Sequence, residues 1–460
     1  MRRDGDYIPF VDSGSYPIRA GNLVRPLVDG ESAFRRICEA VESAEHSVWV
    51  TVAFHHDGFQ MPDSRGSLFD VLDAAVDRGV DVRAIFWRHP DLVKLNPGVH
   101  FAGTEEEREM LAARGSRFQA RWDRAHGRYC QHQKSWLIDA GQPNEIAFVG
   151  GINLDHGSVV PVGHAATEAG NTHDVYSEVQ GPAASDVHHN FVQRWNEASD
   201  RDLSDGLWPD ASSQSQLEFP SSASAERGEA AVQIQRTVRQ GRYTDGRPAV
   251  GARPFDIEGG EHSILDQYRK ALAAARSSIY LEDQALGTAE IVEDLHAALE
   301  RGVEVVFVAP ADPNSEMAAG RQNPESSAFF KRMGELGDHE NFALVGLASH
   351  RGRNDYQHVY VHAKIALVDD VWATIGSTNI GNRSFYGDTE LNASFWHGPT
   401  VRSLRQQLFA EHIGVDTAGL DDRAALRLFR QVARENLDRR SAGSPLQGLA
   451  FTMDPRTYAS

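Results

Sequence analysis

The sequence predicts an α/β fold of two similar halves. Each half is a mixed sheet flanked by helices, and a pseudo-twofold axis relates them, with one active site at their interface. Three observations predict this. Apolar residues alternate between helical and strand periodicity along most of the chain, the pattern of layered α/β architecture. The pattern occurs twice: "AVESAEHSVWVTVAFH" is matched by "ALAAARSSIYLEDQAL", and "AAVDRGVDVRAIF" by "AALERGVEVVFVA". Each copy also carries one H-x-K-x4-D motif, His132-x-Lys134-x4-Asp139 and His362-x-Lys364-x4-Asp369, half a chain apart. At 460 residues the chain is too long for one typical core, so two halves sharing an interface are expected from size alone.

In chain order, residues 1–30 are rich in Gly, Pro and Arg and read as an irregular lead-in. The first half covers 31–198. Ser32 is placed to cap a helix over 32–45, with Phe34, Ile37, Cys38 and Val41 at helical spacing. A strand with β-branched bias follows at 48–54. A helix over 68–78 ends on Gly79 and leads into a strand at 80–87. Thr104 and Glu107 form a capping box for a helix ending near Arg114. Strands are expected at 118–122, within the first motif, at 146–149 and at 175–179, and a helix at 183–198. Residues 199–230 turn rich in Ser, Ala, Asp, Glu and Pro and read as a linker. The second half, 231–415, repeats the plan with strands at 232–238, 278–283 and 303–309 and helices at 262–275 and 289–301. Residues 416–460, a helix over 422–439 and a tail, have no counterpart in the first half.

The motifs carry the chemistry. The apolar run Ile365 to Val368 reads as a buried strand, so His362 and Lys364, two residues apart, share one face. A paired imidazole and ammonium suit a phosphate: lysine offsets the oxygens' charge, and imidazole attacks phosphorus or transfers a proton. Each motif runs on to a glycine turn, Gly150-Gly151-Ile152-Asn153 or Gly376-Ser377-Thr378-Asn379. Asn153, Asn379 and Ser377 are candidate donors to phosphate oxygens, and Gly151 stands where the second copy has Ser377. Asp139 and Asp369 complete the motifs but fall at the far end of a strand, where they are expected to orient backbone. His55-His56 and His188-His189 lack zinc spacing and read as solvated or hydrogen-bonded. Cys38 and Cys130 imply no disulfide framework. A formal charge of −19 argues against a general nucleic-acid binder and against simple electrostatic adhesion to anionic lipid. With no signal peptide and no transmembrane segment evident, a cytoplasmic protein, or one peripheral to a membrane, is expected, while a secreted form with its leader removed would read the same.

The duplicated motif, its Gly-Ser-x-Asn turn and the segments "IYLEDQ", "YVHAK" and "NIGNRSFYGDTE" resemble the phospholipase D superfamily over most of residues 30–412. The resemblance implies a two-step displacement without cofactor or metal. In it His132 is the nucleophile and His362 the general acid/base, roles that the residues alone leave interchangeable. It implies that Glu390, with Asp174 as its first-half counterpart, orients a histidine. The implied activity is phospholipase D-type hydrolysis or transphosphatidylation of a phospholipid at a membrane surface, with water or alcohol as acceptor. Cardiolipin-synthase-type transfer is the alternative, and a nuclease or other soluble phosphodiesterase the second. The internal duplication removes the need for a dimer, so a monomer is expected. Residues 159–162 and 92–101 are expected to form apolar loops at the pocket mouth.

Overall fold

The computed structural model describes residues 7–88, 101, 104–125, 129–165, 168–198 and 216–460. In the first half the strands are β1 (Arg19–Val28), β2 (Ser47–Val52), β3 (Asp81–Arg88), β4 (Gln119–Arg124), β5 (Ser135–Ile138), β6 (Ile146–Gly150), β7 (Thr172–His173) and β8 (Val175–Gln180). In the second they are β9 (Ala230–Val238), β10 (Glu261–His262), β11 (Ser278–Glu282), β12 (Leu286–Gly287), β13 (Glu304–Val308), β14 (Phe342–Gly352), β15 (Asp355–Val361), β16 (Ile365–Val368), β17 (Trp372–Gly376), β18 (Ile380–Gly381), β19 (Glu390–Trp396) and β20 (Ala450–Met453). The helices are α1 (Gly30–Glu42), α2 (Leu68–Asp77), α3 (Glu105–Arg114), α4 (Ala184–Asn196), α5 (Ser263–Ala274), α6 (Ala289–Glu300), α7 (Ser315–Gln322), α8 (Ser327–Glu335), α9 (Asn382–Tyr386), α10 (Gly398–Ile413) and α11 (Asp422–Ser441).

The first sheet runs β1-β8-β6-β5-β2-β3-β4 and the second β9-β19-β17-β16-β11-β13-β14. Strand for strand, pairing is antiparallel in the first four steps and parallel in the last two. This is the expected repeat, and it begins earlier than expected. Part of the lead-in is in fact β1, the first-half counterpart of β9, which pairs with β8 over Leu23–Val28 and with β9 at Arg19 and Asn22. The sequence hid it because Leu23-Val24 and Leu27-Val28 come as pairs instead of alternating, and because Pro26 argues against a strand. Pro26 is tolerated because β9 has already left β1 at that point.

Three main cores hold the molecule. One lies under α1 and α2, and one under α5 and α6. The third joins the halves. It places Val149, Val175 and Val179 of the first sheet in one cluster with Ile365, Ile375 and Ala393 of the second, together with α4, α10 and α11. Each buried Val, Ile, Leu or Phe side chain there contributes about 1.5–3 kcal/mol. The C-terminal segment is therefore no appendage: α11 buries Leu426, Phe429 and Val432 in the joint core, and β20 pairs with β14.

Other local readings shift. α1 starts at Gly30, with Asp29 and not Ser32 at the N-cap; the Ser32 hydroxyl instead donates back to the Val28 carbonyl. The Thr104–Glu107 capping box is present, with both hydrogen bonds. Most of the linker, 199–215, lies outside the described residues. Its remainder is tied down, Leu217 exchanging two 2.8 Å hydrogen bonds with the Asn196 side chain. Val160 is buried and Val159 packs on the first-half core; Val162 is exposed, but none of 159–162 lines the active-site cavity, so the segment forms no apolar mouth. Of the second expected loop, 92–100 lies outside the described residues, and Phe101 is buried against Phe86 and Trp122.

Candidate active site

The two H-x-K segments enter β5 and β16 from the same side of the joint core, and each is held by the opposite half. The His132 N–H donates to the Thr389 carbonyl, and the His362 N–H to that of His173, both at 2.9 Å. The next residue along each partner strand is the acid. Both Glu390 carboxylate oxygens lie 3.0 Å from His132 Nδ1, and Asp174 Oδ2 lies 2.5 Å from His362 Nδ1. The acid of each half thus serves the histidine of the other. The exchange occupies both Nδ1 atoms and leaves both Nε2 atoms for chemistry, with Nδ1 protonated toward the carboxylate.

Lys134 and Lys364 follow on the same faces, their ammonium groups donating to the carbonyls of His132 and His362. Burial pushes Lys134 down to about 8 and lowers Lys364 as well. Burial, then the neighbouring lysine, holds His132 well below the usual imidazole range and His362 at about 4. Burial lifts Glu390 to about 7, against the pull of Lys134. The site therefore holds neutral imidazoles beside cationic lysines, an arrangement that attracts an anion.

Both histidines, with Asn153 and Asn379, line a cavity of about 1190 Å³. The two asparagines end there with Oδ1 buried and without a hydrogen-bond partner among the described residues. The remaining candidates have other tasks. Ser377 donates its hydroxyl to Glu390, so it positions the acid and does not reach toward the cavity. Gly151 is not a lost donor: a Cβ there would meet Asp174 Oδ1 at 2.4 Å and Lys364 Cδ at 3.0 Å, so the missing side chain is the space those groups occupy. Asp139 and Asp369 lie at the far ends of β5 and β16. Asp139 accepts the N–H groups of Glu45, His46 and Ser47, and Asp369 those of Arg276, Ser277 and Ser278, at 2.7–3.1 Å. They clamp the entries to β2 and β11 and touch nothing in the cavity.

A family profile described as "Cardiolipin synthase, PLD-like domain" matches residues 37–195 and 268–412, one stretch in each half. The chain belongs to the phospholipase D superfamily. A second profile of this superfamily, "Phospholipase D", matches residues 158–298. Cardiolipin synthase 1 of Staphylococcus epidermidis is 24% identical over 84% of this chain and 66% of its own length. Phospholipase D alpha 2 of Oryza sativa subsp. japonica is 23% identical over 89% of this chain and 66% of its own. The chain thus spans somewhat under two thirds of these relatives. Among solved structures, phosphatidylserine synthase of Haemophilus influenzae Rd KW20 superposes with a TM-score of 0.58 at 13% identity, covering 93% of this chain and 97% of that one. At that identity the likeness is one of fold, a phospholipase D fold with two repeats.

Around this phospholipase D-type centre lie residues that motif reading passed over. Asp283 is fully buried, accepts the N–H groups of Ala285 and Ile380 at 2.9 Å, and is pushed up to about 8 by burial. Asp388 accepts the Cys130 N–H at 2.7 Å and pairs with Arg383, which lines the cavity. His56 lines the cavity too, its Nδ1 accepting the Gly58 N–H. Asp283 and Asp388 sit inside "IYLEDQ" and "NIGNRSFYGDTE", so those segments were the available signal. Nothing in the sequence pointed His56 inward.

Proposed function

We propose that the chain is a phospholipase D-type phosphatidyltransferase and hydrolase that works through a phosphohistidine on His132. The observation that carries this reading is the crossed pair of carboxylate–imidazole contacts at one cavity, with a lysine beside each histidine. The phosphodiester oxygens lie between Lys134 and Lys364, whose charges offset the anion's repulsion of a nucleophile. His132 Nε2 attacks phosphorus, the bond to the leaving alcohol oxygen breaks, and His362 supplies that oxygen's proton. In the second step His362 takes a proton from water or alcohol, the new oxygen bonds to phosphorus, and His132 leaves. Glu390 stabilises the charge that forms on His132. Asp174 does the same for His362, which gains its proton as the bound phosphate offsets the lysines.

Support for a lipid substrate comes from the cavity wall. Among Asn314, Glu316 and Glu325 its lining includes Ala285, Ala289, Met317, Phe329 and Phe330, which give apolar chains a surface beside the phosphate. The names of the relatives favour a lipid acceptor as a second reading, cardiolipin-synthase-type transfer. The test is an assay on mixed phosphatidylcholine and phosphatidylglycerol vesicles with added ethanol, read by mass spectrometry. Phosphatidylethanol or phosphatidic acid, absent with His132→Ala, supports the proposal. Cardiolipin as the main product favours the second reading. No lipid product from a preparation that cleaves bis-p-nitrophenyl phosphate removes the lipid assignment and leaves the two-histidine chemistry.

A further inference from the structure

A second group of ionisable side chains lies behind His362 and lines no part of the cavity. Asp29 at the end of β1, His164, His173 at the end of β7 and Glu411 on α10 each offer one ligand atom, and all four atoms lie within 4.8 Å of one another. All four side chains are almost wholly buried. His164 Nε2 lies 3.3 Å from Asp29 Oδ1 and 3.6 Å from Glu411 Oε1, and His173 Nδ1 lies 2.9 Å from Asp29 Oδ1. Ligands about 2.0–2.2 Å from a tetrahedral zinc ion stand roughly 3.3–3.6 Å apart; the two separations from His164 fall in that range, and the His173–Asp29 contact is shorter.

Two further observations point to a cation. Asp29 Oδ2 and Glu411 Oε2 are buried with no hydrogen-bond partner among the described residues, at a place where two carboxylates already crowd together. Burying such a pair is costly without a compensating charge. The other nitrogen of His173, Nε2, lies 3.0 Å from Glu282 Oε2, and Glu282 Oε1 accepts the Tyr280 hydroxyl at 2.6 Å. A carboxylate on the far nitrogen is the usual support of a metal-bound histidine, because it fixes the tautomer that presents the lone pair.

We propose that Asp29, His164, His173 and Glu411 bind one divalent transition-metal ion, zinc by the donor set, with Glu282 orienting His173. The ion is structural. Three ligands come from the first half and Glu411 from the second, so it ties the halves together. Its ligand His173 precedes Asp174 and accepts the His362 N–H through its carbonyl, so the ion also fixes the backbone that aims His362. The displacement itself runs through His132 and His362 and does not involve it.

The test is metal content by plasma mass spectrometry on the full chain, purified without chelators and again after stripping and reloading with zinc. Melting is followed in parallel, and the visible spectrum is recorded after loading with cobalt. The expected result is about one ion per chain, a Tm that falls on stripping and recovers with zinc, and tetrahedral cobalt bands. His164→Gln and Glu411→Gln should abolish all three, and Glu282→Gln should weaken metal affinity by about 10- to 100-fold. A wild type that retains no zinc, manganese or cobalt after desalting, with unchanged Tm, overturns the proposal and leaves a network held by protons alone. So does metal that persists in both ligand variants. Should a variant fail to fold, the reloading of stripped wild type still decides.

Discussion

His132 and His362 hold the same atom, Nδ1, against a carboxylate, yet the partner never comes from their own half. Both acids could be named from the sequence through family resemblance. Which histidine each serves could not, because that pairing is created by docking two sheets. The roles of Ser377 and Gly151 were hidden for the same reason: both face the acid of their own half. Asp174→Asn and Glu390→Gln remove the charge that stabilises a protonated or phosphorylated ring. Each is expected to lower kcat by roughly 100-fold or more with little change in KM, checked by steady-state kinetics. Gly151→Ala drives a methyl into Asp174 and should lower kcat by at least about tenfold, with circular dichroism unchanged. The lysines set the pH response. A lysine carries its charge below its pKa, and Lys134 is pushed down to about 8, so phosphate binding is supported below pH 8 and lost above it. The kcat/KM profile on a soluble diester should fall on the alkaline side with a midpoint near 8.

At the scale of elements, the H-x-K-x4-D motif divides in two. Its histidine lines the cavity, its lysine donates to that histidine's carbonyl, and its aspartate closes the far end of the strand. The four intervening residues fit this division, since a four-residue strand such as Ile365–Val368 separates the two tasks. Asp139 and Asp369 each accept three backbone N–H groups, and each adopts a left-handed backbone conformation at the turn, φ 51° and 54°. Asp369→Ala strands those donors and should cost about 1–3 kcal/mol of stability, visible as a lower denaturant midpoint. Activity of the surviving folded fraction should stay close to that of wild type, unlike the histidine variants. Most strands and helices were legible because their apolar periodicity is regular. β1 was not, because its pairing depends on β8 and β9, both distant in sequence, and its own pattern is broken by Gly21 and Pro26.

For the whole molecule, duplication explains the architecture and exchange explains the function. The repeated sheet order gives two equal platforms, and the joint core sets them so that each completes the other. Neither half by itself pairs its motif histidine with an acid: His132 meets Glu390 and His362 meets Asp174. Among the described residues no helix is long and apolar enough to cross a membrane, and the apolar surface suited to lipid is inside the cavity, on α7 and α8. The 159–162 segment was misread because Val159 and Val160 look exposed in a polar stretch, while Val159 packs on the first-half core and Val160 is buried. The proposed mechanism requires a covalent intermediate on His132 that needs His362 for its release. The direct measurement is intact-protein and peptide mass spectrometry of His362→Asn after incubation with a p-nitrophenyl phosphodiester. Its leaving group needs no proton, so the first step proceeds and the second stalls. A phosphoryl adduct is expected on His132, and none in His132→Asn. An adduct on His362 in His132→Asn, with none on His132 in His362→Asn, would contradict it, as would full turnover by His132→Asn.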